Sequence, residues 1–352
     1  MRILDAYIAR RVVGGTLLAL AVLLSLAAVV GFVEELDAVG RGRYDIRGAI
    51  EFVLLTLPRH AFVLFPLSAV IGALIGLGTL AVSSELAVVR ASGVSVARLM
   101  VSVLKGAFAL VVVAVLLGEV VAPWCERLAQ TRRTAALDQT RGQDRSYWLR
   151  DGRRFVNAAR VRPDESVEDM YVYELDSEGA LRTVTHAGRA RYRDGAWVLE
   201  SVRRSDVSTD GVVIRSAPEV VWETRFGPDL VKLASARRES LSGRALMRYI
   251  DYMRANRLET AVYELALWMK VVYPLATGVM IVLAVPLVLG RLGGVGIGHR
   301  ILAGCLIAVT FHIVNDVSGM IGIVYGLNPV LSAFAPTALF LAAGVWLLCR
   351  VR

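Results

Sequence analysis

Lysines, glycines and histidines are the residues whose spacing would indicate nucleotide or metal chemistry. None of the three lysines, Lys105, Lys232 and Lys270, precedes serine or threonine, whereas a P-loop needs that pair to hold phosphates and metal. The glycine-rich run at residues 290–298 lacks the last glycine of a dinucleotide loop, because His299 occupies that place. The four histidines have no metal-ligand spacing, and no Gly-x-Ser-x-Gly elbow occurs. We therefore predict no catalytic residue, cofactor or metal on this chain.

Composition points to a membrane protein. Hydrophobic residues make up 56% of the 352 residues and the mean hydropathy is +0.56, which excludes a purely soluble enzyme. Charged residues cluster between stretches of about twenty uncharged residues, the length that crosses a bilayer. The net charge of +9 arises mostly at the edges of these stretches, so it indicates membrane orientation and no nucleic-acid partner.

The charge-free stretches predict six spans. They are residues 12–33, residues 61–82, residues 99–121 interrupted by Lys105, residues 271–289 entered from Tyr263, residues 301–320 carrying Asp316, and a last span ending near Cys349. The first stretch is longer than the apolar core of a signal peptide, so we interpret it as an anchor. Six spans place both termini on the same side of the membrane.

The positive-inside rule gives the orientation. Most basic residues outside the large insert, among them Arg10, Arg90 and Arg300, flank the face that carries the termini. That face is therefore predicted to be cytoplasmic, with residues 34–59 and the insert outside. The predicted domains are residues 1–123 with three spans, residues 124–262 with the insert, and residues 263–352 with three more.

The insert has the pattern of a β domain. Short alternating segments are separated by Asp151-Gly152, Asp194-Gly195 and Asp210-Gly211, which suit tight hairpins. We predict a periplasmic all-β sandwich or jelly roll. Residues 240–256 should return as an amphipathic helix at the outer membrane surface, with Leu246, Tyr249, Ile250 and Met253 on one face.

The segment between spans two and three has the signals of a short cytoplasmic helix over residues 84–93. Ser83 or Ser84 can cap it, and Glu85 lies in its positive first turn. Leu86, Val89 and Arg90 share a face, and Gly93 can end the helix. An ordinary interfacial loop is the alternative.

Ionisable residues inside spans are costly and therefore informative. Lys270 can meet an anionic ligand head group or reach lipid phosphate. Asp316 can face a polar cavity or a partner helix, and a proton relay is a further alternative. In the outer connection, Arg41 and Arg43 are either solvated or offer forked donors to phosphates.

The order of these parts resembles the lipopolysaccharide export permeases, nearly from end to end. The resemblance rests on GRGRYD at residues 40–45, SSELAVVRASGVS at 83–95, GEVVAP at 118–123, YELALWMKVVYPLA at 263–276 and VYGLNP at 324–329. Within the family it is nearer to the G-type subunit than to the F-type paralogue.

The resemblance implies one permease half of an ABC transporter, with six spans and a periplasmic β-jellyroll. The implied partners are an LptF-like permease, two LptB-like ATPase subunits that hold ATP and magnesium, LptC-like and LptA-like bridge proteins, and lipopolysaccharide. The alternative from another class is a non-transporting membrane scaffold or sensor, whose β domain binds a partner protein and has a polar interior.

The resemblance also assigns roles to residues. Ser84 to Gly93 match the coupling helix of the family, and Glu85 aligns with an acidic residue that pairs with an ATPase arginine. Spans one and five would line lateral gates, to which Leu17, Leu20 and Leu24 are suited. Relatives carry lysines after span one that this chain lacks; Arg41, Arg43, Arg59 or Lys270 are the candidates to replace them at phosphates.

Overall fold

A computed structural model describes residues 2–137, 146–162, 166–208, 211–222, 224, 227–236, 238–290 and 296–350. Asp210 of the third turn signal and residues 291–295 of the glycine-rich run lie outside the described residues. The chain divides into two compact units, Met1–Arg133 with Ala261–Arg352, and Thr134–Thr260.

The described helices are, in chain order, α1 (Arg2–Leu36), α2 (Ile46–Val82), α3 (Glu85–Ala91), α4 (Val96–Leu116), α5 (Ala122–Ala136), α6 (Pro228–Ser235), α7 (Gly243–Ala255), α8 (Ala261–Leu289), α9 (Ile297–Val324) and α10 (Pro329–Arg350). A π-helical turn, Leu117–Val121, joins α4 to α5, so one helix continues from Val96 to Ala136. Within the described residues, six helices are long and apolar enough to cross a bilayer, namely α1, α2, the α4–α5 helix, α8, α9 and α10.

The helices extend beyond the charge-free stretches. α2 begins at Ile46, where Asp45 caps it by accepting a hydrogen bond from the Gly48 amide at 2.8 Å. The predicted outer connection over residues 34–59 is therefore wrong in length, since only residues 37–45 separate α1 from α2. Charge-free stretches mark the lipid-embedded part of a helix, whereas the helix itself can continue into water.

Small residues bring α1 and α2 into backbone contact. A Cβ atom added at Gly72 would meet the backbone of Gly15 and Thr16, and one at Gly76 would meet the backbone of Arg11. The spacing of Gly72 and Gly76 is the small-xxx-small pattern that favours close packing of membrane helices. α1 and α2 therefore form a tightly packed pair.

The second unit contains one antiparallel sheet. Its strands are β1 (Tyr147–Asp151), β2 (Arg154–Val161), β3 (Val167–Leu175), β4 (Leu181–Arg193), β5 (Ala196–Ser208) and β6 (Gly211–Trp222), paired in consecutive order. Positive φ angles at Gly152, Asp194 and Gly195 form two of the predicted turns. A helical membrane protein with an inserted β domain is thus confirmed, but the strand order corrects the jelly-roll prediction. Each described strand pairs with the next one along the chain, whereas a jelly roll needs Greek-key crossovers.

α7 corresponds to the predicted return helix, with Leu246, Tyr249 and Ile250 buried. It is fixed to the sheet, because the Tyr252 hydroxyl accepts a hydrogen bond from the Arg150 amide at 2.7 Å and donates one to the Arg150 carbonyl at 2.9 Å. The helix is therefore part of the β unit's own packing, an arrangement that its apolar periodicity alone did not predict.

Candidate docking, gate and groove sites

The short helix α3 lies between two left-handed residues. Ser84 occupies its N-cap position with φ +57° and without a side-chain cap, and Gly93 follows its end with φ +89°. Ser83 donates instead to the Glu85 carboxylate at 3.1 Å. Residues with positive φ are typical of sharp changes in chain direction, so α3 projects from the connection between α2 and α4 as a separate short element.

The carboxylate of Glu85 is held by neighbours on both oxygens. Ser83 contacts Oε1, and the Tyr7 hydroxyl donates to Oε2 at 2.8 Å. The Tyr7 oxygen in turn accepts a hydrogen bond from Arg11 at 2.9 Å. Glu85 is half-buried, so a cation of another protein could still reach it from the open side.

α3 presents two different faces. Leu86 is buried in the apolar core of the helical unit, and Val89 packs against that core. Val88 is 67% exposed on the side away from Leu86, and Arg90, one turn after Leu86, is exposed as well. Leu86 and Val89 thus serve the chain's own packing, whereas Val88 and the Arg90 side chain are available to another molecule.

The predicted gate residues of α1 point in different directions. Leu17 is exposed, whereas Leu20 is buried and Leu24 packs against the core. A continuous exposed stripe runs instead along Leu18, Val22, Leu26, Val29 and Val33, each more than half exposed. α9 carries a similar stripe that includes Leu302, Leu306, Ile313 and Met320. The spacing of three and four residues keeps each stripe on one helical face.

The two intramembrane candidates have partners in the chain. Lys270 donates from Nζ to the Gly118 carbonyl in the π-helical turn at 2.9 Å. This contact belongs to neither interpretation made from the sequence, because both placed the ammonium group on a ligand or lipid. Nε2 of His312 lies 3.5 Å from Oδ2 of the half-exposed Asp316, one turn away on α9.

The arginine candidates divide into exposed and paired residues. Arg41 and Arg43 are exposed on the connection between α1 and α2. That connection is anchored by Tyr44, which is 3% exposed; burial, and next the neighbouring Glu35, raises the pKa of its hydroxyl. Arg59 lies 3.5 Å from the buried carboxylate of Glu126. The first two arginines are therefore more accessible to a phosphate than Arg59.

The sheet of the β unit has a groove with an apolar floor. Val172, Leu199, Val202, Val220 and Trp222 line it. Its charged side chains include an ion pair between Arg154 and Glu174 at 2.9 Å. Arg204 also lines the groove, and its hydrogen bond to Asp206 lowers the pKa of that carboxyl group. The groove thus combines an apolar interior with charged groups at its edge.

Comparison with known proteins decides the family. Residues 6–350 match the family described as lipopolysaccharide export system permease LptF/LptG. The chain belongs to this family. It is 35% identical to the lipopolysaccharide export system permease protein LptG of Haemophilus influenzae, over 99% of both chains. It is 31% identical to the LptG protein of Escherichia coli K12, over 99% of this chain and 98% of that one.

Family membership confirms the predicted resemblance, and with it a multi-pass protein of the inner membrane that acts as a transport subunit. The individual docking, gate and phosphate residues remain predictions, since likeness of whole chains does not test single side chains. The structure adds that Arg90, Leu17, Arg41 and Arg43 among them are exposed, and that Val88, which was not predicted as a docking residue, is exposed too.

Sequence reasoning missed one cluster near the start of α1. Asp5, only 6% exposed, accepts hydrogen bonds from Arg98 at 2.8 Å and Ser102 at 2.6 Å, and it contacts Lys105. The available signal was Lys105 itself, because a lysine that interrupts an apolar span requires a partner. Asp5 could not be named as that partner, because it lies next to Lys105 in the folded chain but 100 residues away in sequence.

Proposed function

We propose that this chain is one permease half of an ATP-driven exporter that extracts lipopolysaccharide from the inner membrane. It pairs with an LptF-like permease and rests on two LptB-like ATPase subunits. The lipid then passes to LptC-like and LptA-like bridge proteins on the way to the outer membrane. Both termini and α3 lie in the cytoplasm and the β unit lies in the periplasm, as the distribution of basic residues supports.

The observation that carries this proposal is the construction of α3. A short helix between two membrane-crossing helices exposes Val88 and Arg90 while Leu86 fixes it to the core. Such an element can insert into a groove of a cytoplasmic partner and move the spans attached to it. ATP and magnesium then belong to the partner, because this chain has no P-loop lysine.

Two features of the chain suit a lipid substrate. Transfer of an acyl chain into water costs about 0.8 kcal/mol per CH₂, or about 10 kcal/mol for twelve methylenes. The exposed stripes of α1 and α9 offer apolar walls within the membrane, and the groove floored by Leu199 and Trp222 offers one in the β unit. The scaffold alternative predicted a polar β interior, whereas the described core contains Leu149, Val156 and Trp197.

In the mechanism, closure of the ATPase pair displaces α3 and the helices joined to it. The cavity between the two permease halves then narrows and expels the lipid toward the β unit. Arg41 and Arg43 contact lipid phosphates at the outer end of α1, since they are exposed there and Arg59 already lies beside Glu126.

Photo-crosslinking tests this function. A photoreactive residue at Val22 on the exposed stripe or at Val220 in the groove should capture lipopolysaccharide in an ATP-dependent manner, whereas one at the buried Leu20 should not. The complex should also co-purify with a cytoplasmic ATPase. Absence of lipid adducts at both sites, or equal adducts at Leu20, would contradict the proposal.

A further inference from the structure

The first two turns of α1 contact two other elements through side chains. Tyr7 reaches Glu85 of α3, and Asp5 accepts hydrogen bonds from Arg98 and Ser102 of α4. The end of α1 is thus fixed at two separate points, in addition to its glycine contacts with α2.

The Tyr7 contact is directional. Arg11 donates to the tyrosine oxygen at 2.9 Å and lies 5.2 Å from the centre of its ring, which leaves the hydroxyl proton for Oε2 of Glu85. A hydroxyl that accepts from a cation becomes a better donor to a carboxylate. With Ser83 on the other oxygen, the Glu85 carboxylate has a defined orientation.

Without this contact, α3 would have little to fix its angle. The left-handed residues Ser84 and Gly93 flank a helix of only two turns, whose buried attachment is chiefly Leu86. A short helix between two such residues can rotate about them. A force applied to α3 would then rotate α3 alone and would not displace the helices attached to it. The hydrogen bond from Tyr7 joins α3 instead to the tightly packed pair of α1 and α2.

We propose that Tyr7 is a positioning residue: it orients Glu85 and stiffens the joint between α3 and α1, so that displacement of α3 reaches the span with the exposed stripe. This rests on the proposed function, in which α3 receives the force of the ATPase. α1 is one continuous helix, and about 16 Å separate Tyr7 from Leu18 along its axis at 1.5 Å per residue.

The first test measures α3 in the full chain alone, in lipid nanodiscs. Tyr7→Phe removes only the hydroxyl, and we expect exchange of the helix-bonded amides of residues 88–91 to become about tenfold faster, which corresponds to a loss of about 1.4 kcal/mol in the free energy of opening α3. Tyr325→Phe, at a tyrosine 74% exposed, is the matched control and should not change it. In a Glu85→Ala chain, Tyr7→Phe should add nothing, because the acceptor is gone. Equal exchange in Tyr7→Phe and the unaltered chain would overturn the proposal.

The second test uses the reconstituted complex with its ATPase. We expect Tyr7→Phe to hydrolyse ATP within about twofold of the unaltered complex but to release about fivefold less lipopolysaccharide per ATP. A proportional loss of both, or unchanged release per ATP, would overturn the transmission role. If the unaltered complex shows no ATP-driven release, the proposed function fails, and the exchange experiment still decides whether Tyr7 positions α3.

Discussion

Replacement of Val88 tests the outward face of α3 most directly. Complete burial of a valine contributes about 1.5–3 kcal/mol, and 67% of this side chain is uncovered in the chain alone. Covering this side chain on docking should therefore contribute about 1–2 kcal/mol to the free energy of binding the ATPase. Val88→Ala should weaken ATPase binding about fivefold, since it removes about two thirds of the side chain's apolar area. Val88→Asp also places an unpaired charge in the covered interface. The binding free energy should therefore fall by about 3 kcal/mol in total, which weakens the affinity for the ATPase about a hundredfold.

The assay is titration of the purified ATPase onto the chain in nanodiscs. Both variants should keep the stability of the unaltered chain, because a surface substitution usually changes it by less than about 0.5 kcal/mol. Val324→Asp, at a valine 76% exposed at the end of α9, is the control and should bind the ATPase normally. Affinity of Val88→Asp within twofold of the unaltered chain would refute the argument that this face docks.

Three further predictions concern the helical and β units. Glu85→Lys places a cation beside Tyr7 and Arg11, so we expect it to weaken ATPase co-purification or to uncouple hydrolysis from lipid release. Gly72→Ala forces α1 and α2 apart and should destabilise the chain by about 1–3 kcal/mol in detergent unfolding. Burial raises the pKa of Tyr252 above its ordinary value of 10.0. The unfolded chain then loses this proton first, so the stability from the neutral hydroxyl is complete below about pH 10 and declines as the pH rises further.

Each of these has its own control and contrary outcome. Gly14→Ala, on α1, meets open space, and equal unfolding midpoints for it and Gly72→Ala would contradict the close-contact argument. Normal export by Glu85→Lys in a reconstituted complex would contradict the coupling role. Tyr252→Phe should show a shallower loss of stability above pH 10 than the unaltered chain; identical alkaline profiles would show that this phenol does not contribute.

The number of spans and the presence of a β insert could be predicted because both depend on local pattern. An uncharged stretch such as residues 12–33 has no favourable place outside lipid, and Asp194-Gly195 strongly favours a tight hairpin. Helix ends could not be predicted in the same way. α2 begins at Ile46 because the Asp45 cap, and not the edge of the membrane, determines where it starts.

The site was harder to predict, because apolar spacing does not distinguish a face turned inward from one turned outward. Leu86 and Val88 are both apolar, yet only the packing of α3 against the helical core decides that Leu86 is covered. The contacts of Tyr7 with Glu85 and of Lys270 with Gly118 join residues far apart in sequence. No local pattern contains such pairs, so they require the three-dimensional arrangement.

The π-helical turn at Leu117–Val121 fixes the rotation of α5 relative to α4 within one continuous helix. Each residue of an α-helix turns the chain by about 100°, so closing this π-helical turn to α-helical geometry without removing a residue would rotate the whole of α5 about its axis. Arg133 would then leave Glu35, which it now contacts at 2.5 Å, and the carbonyl of Gly118 would no longer be offered to Lys270. The π-helical geometry of this turn, rather than any side chain beyond it, therefore determines the direction in which each residue of α5 points.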